Sequence, residues 1–400
     1  MIYKRFVECL LAFIALLAFP VSGRSQEILP GAYQTEAYLP LLKNKNVGIF
    51  ANPTSEIKGT PLADSLLSLG IHVVCAFGPE HGFRGNEDAG AKVGNETDAK
   101  TGIKIISLYG QKSKPSAEDV QNVNVLVFDL QDVGTRFYTY ITSLQHFIEA
   151  AIDLHKPLII LDRPNPNGFY VDGPVLDRKY ASGVGAQPVP VVYGMTIGEY
   201  ARMLIGEHWL NTKEKYNAQD VDIKIIPCKN YTHQSRYTLP VKPSPNLPYM
   251  SSVYKYPSTC FFEGTVLSEG RGTQYPFEIF GHPDLPETMY RFTPYSMPGA
   301  VSSKLYGKTC YGWNVHDTDF SDKHIELKYL LEAYKLFPDK QHFFIGQGNA
   351  PEKIFFNKLA GNDELMQQIL AGKSKKQIRR SWRKPLKKFL QIRKKYLMYP

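Results

Sequence analysis

Most of the signatures that would assign this chain to a common enzyme class are missing. Cysteine is scarce, with five in 400 residues, and no C-x-x-C pair occurs, which excludes a zinc ribbon and a thioredoxin-like motif. The sequence has no P-loop, no G-x-S-x-G turn and no H-E-x-x-H helix. The first predicted strand runs into Ala51-Asn52-Pro53-Thr54 rather than G-x-G-x-x-G, which disfavours a dinucleotide. Carboxylates remain as the main candidates for chemistry.

Long apolar runs are also absent beyond the N-terminus. Lys4 and Arg5 precede one apolar run over residues 10–19, and small residues suited to cleavage follow at 20–23. This order is typical of a secretory signal peptide, and the run is too short to span a bilayer. We therefore expect residues 1–25 to be a signal peptide and the mature protein to be exported, periplasmic or secreted, without a transmembrane segment. Either one or two disulfides or buried free thiols are expected at Cys75, Cys228, Cys260 and Cys310.

The formal net charge of +9 is concentrated at one end of the chain. Residues 373–400 carry twelve Lys and Arg and no acidic residue, whereas the mature body before them is mildly acidic. One interpretation is electrostatic docking of this basic C-terminus onto an anionic cell-wall polymer or a membrane surface. The interpretation we favour is the solvated face of a terminal helix, because Ile378, Trp382, Leu386 and Phe389 keep roughly helical spacing. An exported protein is not expected to bind nucleic acid.

Strand and helix patterns alternate through the first two thirds of the chain. Strands are predicted at 46–51, 71–77, 103–108, 125–129, 157–162 and 221–227. Helices are predicted at 61–69, after a cap at 116–119, at 141–152 and at 196–209. Continuous apolar strands between amphipathic helices indicate a parallel sheet covered on both faces.

The predicted class is therefore α/β, with a Rossmann-like, mainly parallel sheet in a catalytic domain over residues 26–286. Tyr and Pro become frequent after it, and helices are predicted near 324–336, 362–370 and 374–384. Pro385 breaks the last pattern, so a further helix is predicted to start there. We interpret residues 287–400 as a smaller α+β auxiliary domain that ends in basic helices.

In an open α/β sheet, ligands bind outside the carboxyl ends of the strands. Polar side chains follow the predicted strands at that edge and make a candidate substrate-binding set: Asn52, Arg84, Asp129, Gln131, Asp132, Arg136, Tyr138, Arg163, Asn165 and Asn167. Each has a structural alternative. An aspartate at a strand end often caps backbone amides, an arginine can pair with such an aspartate, and an asparagine beside a proline forms turns.

The segment Gly78-Pro79-Glu80-His81-Gly82 follows the second predicted strand and carries the likeliest catalytic carboxylate. Pro79 and Gly82 shape a turn around Glu80, which distinguishes it from an ordinary carboxylate in a surface loop. His81 is a candidate for orienting Glu80 or binding substrate, with simple packing as the alternative.

A second candidate cluster lies in the glycine-rich segment 263–273. It contains Glu263, Glu269 and Arg271, and its glycines suit a loop whose backbone approaches a ligand closely. The alternative is a turn with a Glu–Arg surface pair. Glycoside hydrolysis uses a carboxylic acid near a second carboxylate, and Glu80 with Glu263 or Glu269 would supply that pair. Alternatively, an acetamido sugar serves as its own nucleophile, which leaves one acid essential.

These segments together resemble the NamZ-type exo-β-N-acetylmuramidase family, over nearly the whole mature chain. The resemblance is carried by Gly48-Ile-Phe-Ala-Asn-Pro-Thr54, Phe77-Gly-Pro-Glu-His-Gly82, Phe128-Asp-Leu-Gln-Asp-Val-Gly-Thr-Arg-Phe-Tyr138, Asp162-Arg-Pro-Asn-Pro166, Glu263-Gly-Thr265, Glu269-Gly-Arg-Gly-Thr273 and the ending with Phe389, Arg393 and Tyr396-Leu-Met-Tyr399.

The resemblance implies a Rossmann-like domain beside an auxiliary domain, with the active site in the cleft between them. It also implies release of N-acetylmuramic acid from the non-reducing end of a peptidoglycan-derived sugar chain, without a cofactor. Glu80 matches the family's catalytic glutamate. The lactyl carboxylate of the sugar would be an anionic partner for an arginine of the site, namely Arg84, Arg136, Arg163 or Arg271.

Two other functions fit the residues less well. A metal-dependent amidase or esterase would need a ligand set, for which His81 with Asp129 or His146 is the only material, and we expect no metal site. A non-catalytic wall-binding protein would rely on the basic C-terminus. Loss of activity with a chelator would indicate the first, and a Glu80 variant without effect the second.

Overall fold

A computed structural model of the chain describes residues 26–79, 82–84, 96–110, 112–320 and 322–400. The strands are β1 (Asn46–Ala51), β2 (Glu56–Ile57), β3 (Thr60–Pro61), β4 (His72–Gly78), β5 (Glu96–Thr97), β6 (Lys104–Ser107), β7 (Val125–Asp129), β8 (Leu158–Leu161), β9 (Asp172–Val175), β10 (Pro190–Val192), β11 (Ile223–Ile226), β12 (Ile279–His282), β13 (Tyr290–Phe292) and β14 (Cys310–Asn314).

The helices connect these strands and form most of the C-terminal part. They are α1 (Thr35–Leu42), α2 (Leu62–Ser68), α3 (Tyr140–Asp153), α4 (Ile197–Gly206), α5 (Met250–Thr259), α6 (Lys328–Leu336), α7 (Phe355–Ala360), α8 (Glu364–Leu370), α9 (Lys375–Ser381) and α10 (Arg383–Arg393). No helix in the described parts of the chain has the length and apolarity needed to cross a membrane.

Seven strands form the main sheet, in the order β11-β8-β7-β1-β4-β6-β5. All neighbours are parallel except β5, which pairs antiparallel with β6. The six parallel strands, counted along the chain, therefore run 3-2-1-4-5-6 across the sheet, which is the doubly wound Rossmann order. The direction of winding reverses between β1 and β7, and the crevice beyond their carboxyl ends is where such sheets bind ligands. The predicted fold class is confirmed.

Apart from polar residues at their ends, such as Asn46, His72 and Asp129, the inner strands are apolar because both faces of the sheet are covered. Residues on one face, such as Ile49, pack with α1 and α2. Residues on the other face pack with α3 and α4. There Phe50 and Phe128 meet Phe147 of α3, with ring centroids 5.0 and 6.0 Å apart. Neighbouring residues of a strand thus enter different cores, as the period of two requires.

The capping box predicted for α4 is confirmed, with Thr196 accepting from the Glu199 amide and Glu199 accepting from the Thr196 amide. The helix predicted after residues 116–119 is wrong, because residues 117–122 form turns. The Asp119 carboxylate accepts from the Ser116 amide at 2.6 Å, which closes a turn locally. Val120 and Val123 then bury their side chains in the core just before β7, leaving too few residues for a helix.

The C-terminal part combines a small antiparallel sheet, in the order β12-β14-β13, with helices α6 to α10. Its core is continuous with the core on the α3 side of the main sheet. Asp172 of β9 fastens the last helices to the main body, since its carboxylate accepts from Arg379 at 2.8 Å and from the Trp382 indole at 3.1 Å. Cys75, Cys228, Cys260 and Cys310 are buried free thiols. Of the two expectations for these cysteines, free thiols rather than disulfides are observed.

Helices α9 and α10 bury Ile378, Trp382 and Phe389, while nine of the twelve basic residues after position 372 are exposed. This arrangement agrees with the solvated helix face that we favoured, and docking of this basic face on an anionic polymer stays a prediction. The following segment returns to the main sheet. Its Tyr399 hydroxyl donates to the buried Asp162 carboxylate at 2.5 Å, and the Met398 amide donates to Glu199 at 2.8 Å.

Candidate active site

The strand-end loops at the reversal of the sheet are joined by buried hydrogen bonds. Thr54, beyond β1, accepts from the Gln131 amide, beyond β7, at 3.1 Å. The Gln131 side chain donates to the Pro164 carbonyl, beyond β8, at 2.8 Å. Ser55 donates to the Asp129 carbonyl. The loops after β1, β7 and β8 therefore form one connected rim, as the sequence predicts.

Asp129 and Arg163 form a buried ion pair at the centre of this rim. Both carboxylate oxygens of Asp129 accept from the guanidinium, at 2.5 and 2.8 Å, and both side chains are almost inaccessible to solvent. Burial alone would lower the pKa of Arg163, but the Asp129 carboxylate outweighs it and raises that pKa above its usual value. Arg163 also donates to the Glu56 carbonyl at 3.1 Å. Of the two alternatives for Arg163, pairing with an aspartate is the one observed.

Arg136 is fully buried and does not pair with an aspartate. It donates to three carbonyls, those of Pro174, Val189 and Leu359, at 2.7–2.9 Å. Burial without a nearby carboxylate lowers its pKa to about 9. Because Leu359 belongs to α7, this side chain joins the sheet domain to the C-terminal part.

Asp132 lies beneath the loop that leads from β7 to α3. Its carboxylate accepts from the Gly134 amide at 2.5 Å and from the Tyr193 hydroxyl. Burial raises its pKa from 3.8 to about 7. Gly134 has a φ of +79° and a Cβ there would lie 2.1 Å from the Asn165 side chain, so this turn requires glycine.

Asn165 and Asn167 fix the loop after β8 to its neighbours. The Asn165 amide donates to the Met195 carbonyl at 2.8 Å, and its oxygen accepts from the Asn167 amide at 2.8 Å. The Asn167 side chain donates to the carbonyls of Val133 and Val253 at 2.8 and 3.1 Å. The contact between the Asn165 oxygen and the Asn167 amide is the turn-forming alternative for Asn165, whereas the Asn167 side chain ties its loop to two distant segments.

Arg84 contacts two aspartates rather than open space. It donates to both Asp98 oxygens at 2.9 and 2.6 Å and to Asp64 at 3.0 Å. Hydrogen bonding to Arg84 lowers the pKa of Asp98 to about 2. Asn52 donates to the Tyr140 hydroxyl at 2.6 Å, so it supports a residue that faces the cleft described next.

A small cleft opens where the loop before α3 faces the 263–277 loop. Its lining includes Tyr138, Tyr140, Ser244, Asn246, Tyr256 and Arg271. The Arg271 guanidinium lies 5.0 Å from the centroid of the Phe277 ring, and about a quarter of the side chain is exposed. Among the candidate arginines, Arg271 is the one that lines this cleft.

Two carboxylates stand behind Arg271 and fix its direction. Glu263 accepts from Nη2 at 2.6 Å, and Glu269 lies 3.4 Å from Nε. Lys304 approaches Glu269 at 2.8 Å, so the four charges balance. Burial lowers the pKa of Arg271, but Glu263 and Glu269 together raise it above its usual value. These contacts show that Glu263 and Glu269 orient Arg271. Their catalytic role stays a prediction.

Glu80 and His81 lie outside the described residues. The residues on either side of them are placed at the carboxyl end of β4, next to β1 in the sheet. There the Gly82 amide donates to the Pro79 carbonyl at 3.0 Å, and the Leu108 amide donates to the Gly78 carbonyl at 2.9 Å. The described residues that flank Glu80 and His81 thus lie at the edge where the other loops meet.

A second cavity, of about 500 Å³, lies at the opposite edge of the sheet. It is bounded by the residues that precede β8 and β11, among them Lys156, Lys213 and Asp222. Ligands of doubly wound sheets bind at the carboxyl ends of the strands, so we place the candidate site in the smaller cleft. No group of three His, Cys, Asp or Glu in the described residues is arranged to hold a metal ion.

The sequence did not single out several residues that line or support the cleft. These are Tyr140, Ser244, Asn246, Tyr256 and Lys304. The alternating prolines of Pro243-Ser244-Pro245-Asn246-Leu247-Pro248 were the available signal, since such a segment forms neither helix nor strand and can only serve as a loop. Tyr256 carries no signal, because an aromatic residue on a helix is ordinarily part of the core.

The chain matches two family models along almost its whole described length. Residues 47–251 match the model described as exo-beta-N-acetylmuramidase NamZ, N-terminal, and residues 254–399 match the model described as exo-beta-N-acetylmuramidase NamZ, C-terminal. The two models therefore meet at the start of α5, which contributes Tyr256 to the cleft.

One curated relative and two solved structures are similar over most of the chain. The relative is the peptidoglycan beta-N-acetylmuramidase NamZ of Bacillus subtilis (strain 168), which is 39% identical over 385 residues, or 90% of this chain and 89% of its own. The structures are two DUF1343 family proteins of Bacteroides fragilis NCTC 9343. One is 44% identical with a TM-score of 0.84, the other 27% identical with a TM-score of 0.78, and each match covers 93% of this chain and 99% of the other.

The Asp129–Arg163 pair predicts a large loss of stability when one partner is removed. Arg163→Met leaves a buried carboxylate without its cation, which should lower the free energy of unfolding by about 3–5 kcal/mol. The double variant Asp129→Leu/Arg163→Met removes both charges and should recover part of that loss in denaturant unfolding. An Arg163→Met protein as stable as the wild type but impaired in activity would contradict this and favour substrate binding.

The raised pKa of Asp132 predicts a dependence of stability on pH. A carboxyl group whose folded-state pKa lies above its unfolded value gives stability that is present below the unfolded pKa of 3.8 and is lost as the pH rises through about 7. Asp132→Asn should therefore flatten the decline of Tm between those two pH values, measured by scanning calorimetry. An unchanged decline in the variant would show that Asp132 does not titrate there.

Proposed function

The chain belongs to the exo-β-N-acetylmuramidase NamZ family, and on that premise we propose that it releases N-acetylmuramic acid from the non-reducing end of peptidoglycan-derived glycans. It is a glycoside hydrolase. The observation that carries the finer assignment is Arg271, a partly exposed and firmly aimed cation that lines the cleft with tyrosines and an asparagine.

Arg271 supports a substrate that carries a carboxylate. A guanidinium matches a carboxylate with two parallel hydrogen bonds, and an enclosed site strengthens such a pair. Glu263 and Glu269 engage its Nη2 and Nε, and none of the described residues accepts a hydrogen bond from its Nη1. The lactyl group of N-acetylmuramic acid supplies a carboxylate that a neutral sugar lacks, so Arg271 would select this sugar.

Glu80 is proposed as the acid that protonates the leaving glycosidic oxygen. Its support is the family resemblance of its segment and the place where that segment meets the rim, beside β1 at the reversal of the sheet. His81 is proposed to orient it. Glu263 pairs with Arg271, and Glu269 pairs with Lys304. We therefore assign both glutamates to positioning Arg271. Evidence that either acts as the second catalytic carboxylate would revise this assignment.

The test compares variants on oligosaccharides capped with N-acetylmuramic acid, with and without a chelator. Glu80→Gln keeps the shape of the side chain but cannot donate the proton, so kcat should fall by about 10²–10⁴-fold. Glu269→Gln should raise KM more than it lowers kcat, because it disturbs Arg271. Chelator should leave the wild-type rate unchanged.

Free N-acetylmuramic acid is measured as the product, and the unfolding midpoint of each variant serves as the folding control. Release by Glu80→Gln at the wild-type rate would remove Glu80 from the mechanism. Collapse of kcat in Glu269→Gln at unchanged KM would make Glu269 the second carboxylate.

We further propose that the protein acts outside the cytoplasm, where peptidoglycan lies. The support is the basic and apolar order of residues 1–25, which lie outside the described residues. N-terminal sequencing of the protein recovered from the periplasm or medium should begin close to residue 26. Recovery of the uncleaved chain from the cytoplasm alone would refute this location.

A further inference from the structure

Two tyrosines are close along the chain to residues that line the cleft. Tyr249 is two residues beyond Leu247, and Tyr275 is two residues before Phe277; Leu247 and Phe277 both line the cleft. The two tyrosine rings have their centroids 6.0 Å apart and are inclined by 39°. Tyr249 is 42% exposed, whereas the core aromatic residues are nearly inaccessible to solvent.

A buried chain of charges holds the ring behind these tyrosines. The His316 ring lies 4.2 Å from Tyr275 and 5.8 Å from Tyr249, centroid to centroid. Its Nδ1 contacts the fully buried Glu278 carboxylate at 2.5 Å, and Glu278 pairs with the buried Lys255 at 3.2 Å. Lys255 also donates to the His316 carbonyl at 2.5 Å. His316 is therefore held both at its imidazole ring and at its backbone carbonyl.

An ordinary packing cluster does not account for this arrangement. Burying a Lys–Glu pair is favourable only when its contacts are nearly complete, and here the last contact orients a ring whose neighbour, Tyr249, faces solvent. A second exposed ring lies in a segment that is hydrogen-bonded to the loop carrying Arg271. Tyr295 is 59% exposed, and its amide donates to the carbonyl of Gly272, the residue after Arg271, at 2.8 Å.

We propose that Tyr249 and Tyr275, backed by His316, form a stacking platform for the sugar on the leaving side of the cleaved bond. The inference rests on the proposed function. An exo-acting enzyme holds the terminal sugar deepest, so the rest of the glycan must leave through the mouth of the cleft. The C–H face of a pyranose packs on an aromatic ring, and tyrosine offers a large rigid surface with a polar edge. The platform therefore recognises chains of at least two sugars.

The test compares a long and a short substrate in the same variants. The long substrate is an oligosaccharide with N-acetylmuramic acid at its non-reducing end, and the short one is the methyl β-glycoside of that sugar, which cannot reach the platform. Tyr249→Ala should lower the ratio of kcat/KM for the long substrate to kcat/KM for the short one about tenfold, equivalent to about 1.4 kcal/mol. The change should come from a higher KM for the oligosaccharide. Tyr249→Phe keeps the ring and should retain the wild-type ratio.

The outcomes separate this inference from the proposed function. If the wild type releases no N-acetylmuramic acid from either substrate, the proposed function fails. If it cleaves both but Tyr249→Ala leaves the ratio unchanged, the platform is refuted. A Tyr249→Phe protein whose kcat/KM ratio falls as far as that of Tyr249→Ala would also refute stacking, because the hydroxyl rather than the ring face would then make the contact. Tyr275→Ala should reproduce the effect of Tyr249→Ala.

Discussion

The buried pairing of Asp129 with Arg163 is the interaction on which the site is built. Asp129 ends β7 and Arg163 follows β8, so the pair joins two parallel strands at the edge where the sheet reverses. A buried charge is tolerated only when its partner and hydrogen bonds are in place, and here each oxygen of the carboxylate has a donor. The loop that leads from β7 to Tyr138 and Tyr140 of the cleft begins at this pair. Substrate recognition can then be left to side chains that are not needed for stability.

Burial separates the arginines of the site into two kinds. Arg136 and Arg163 are enclosed and use their donors on carbonyls or an aspartate, which makes them part of the scaffold. Arg271 is aimed by two glutamates but still lines the cleft. The asparagines differ in position rather than in role. Asn165 and Asn167 hold backbone outside the cleft, while Asn246 lines the cleft and donates to the Gly299 carbonyl at 2.8 Å. An exposed, oriented cation is consistent with an anionic sugar.

The sequence predicts the sheet well and the cleft only in part. Strands β1 and β7 begin and end as predicted, because a strand buried on both faces is a nearly continuous apolar run. The capping box at Thr196 is equally local, and so is recognisable. The helix after residue 116 fails because a cap residue also closes isolated turns. Arg136 could not be assigned from sequence, since its carbonyl partners come from segments up to 223 residues away. Asn246 and Tyr256 reach the cleft only through tertiary packing.

The most direct test of the account is a crystal structure of the Glu80→Gln protein with an N-acetylmuramic acid–capped disaccharide. The account predicts the lactyl carboxylate about 3 Å from the Arg271 guanidinium, the glycosidic oxygen facing residue 80, and the second sugar against Tyr249. Density for the disaccharide in the second cavity, beside the residues that precede β8 and β11, would contradict this prediction. So would a disaccharide whose carboxylate is turned away from Arg271.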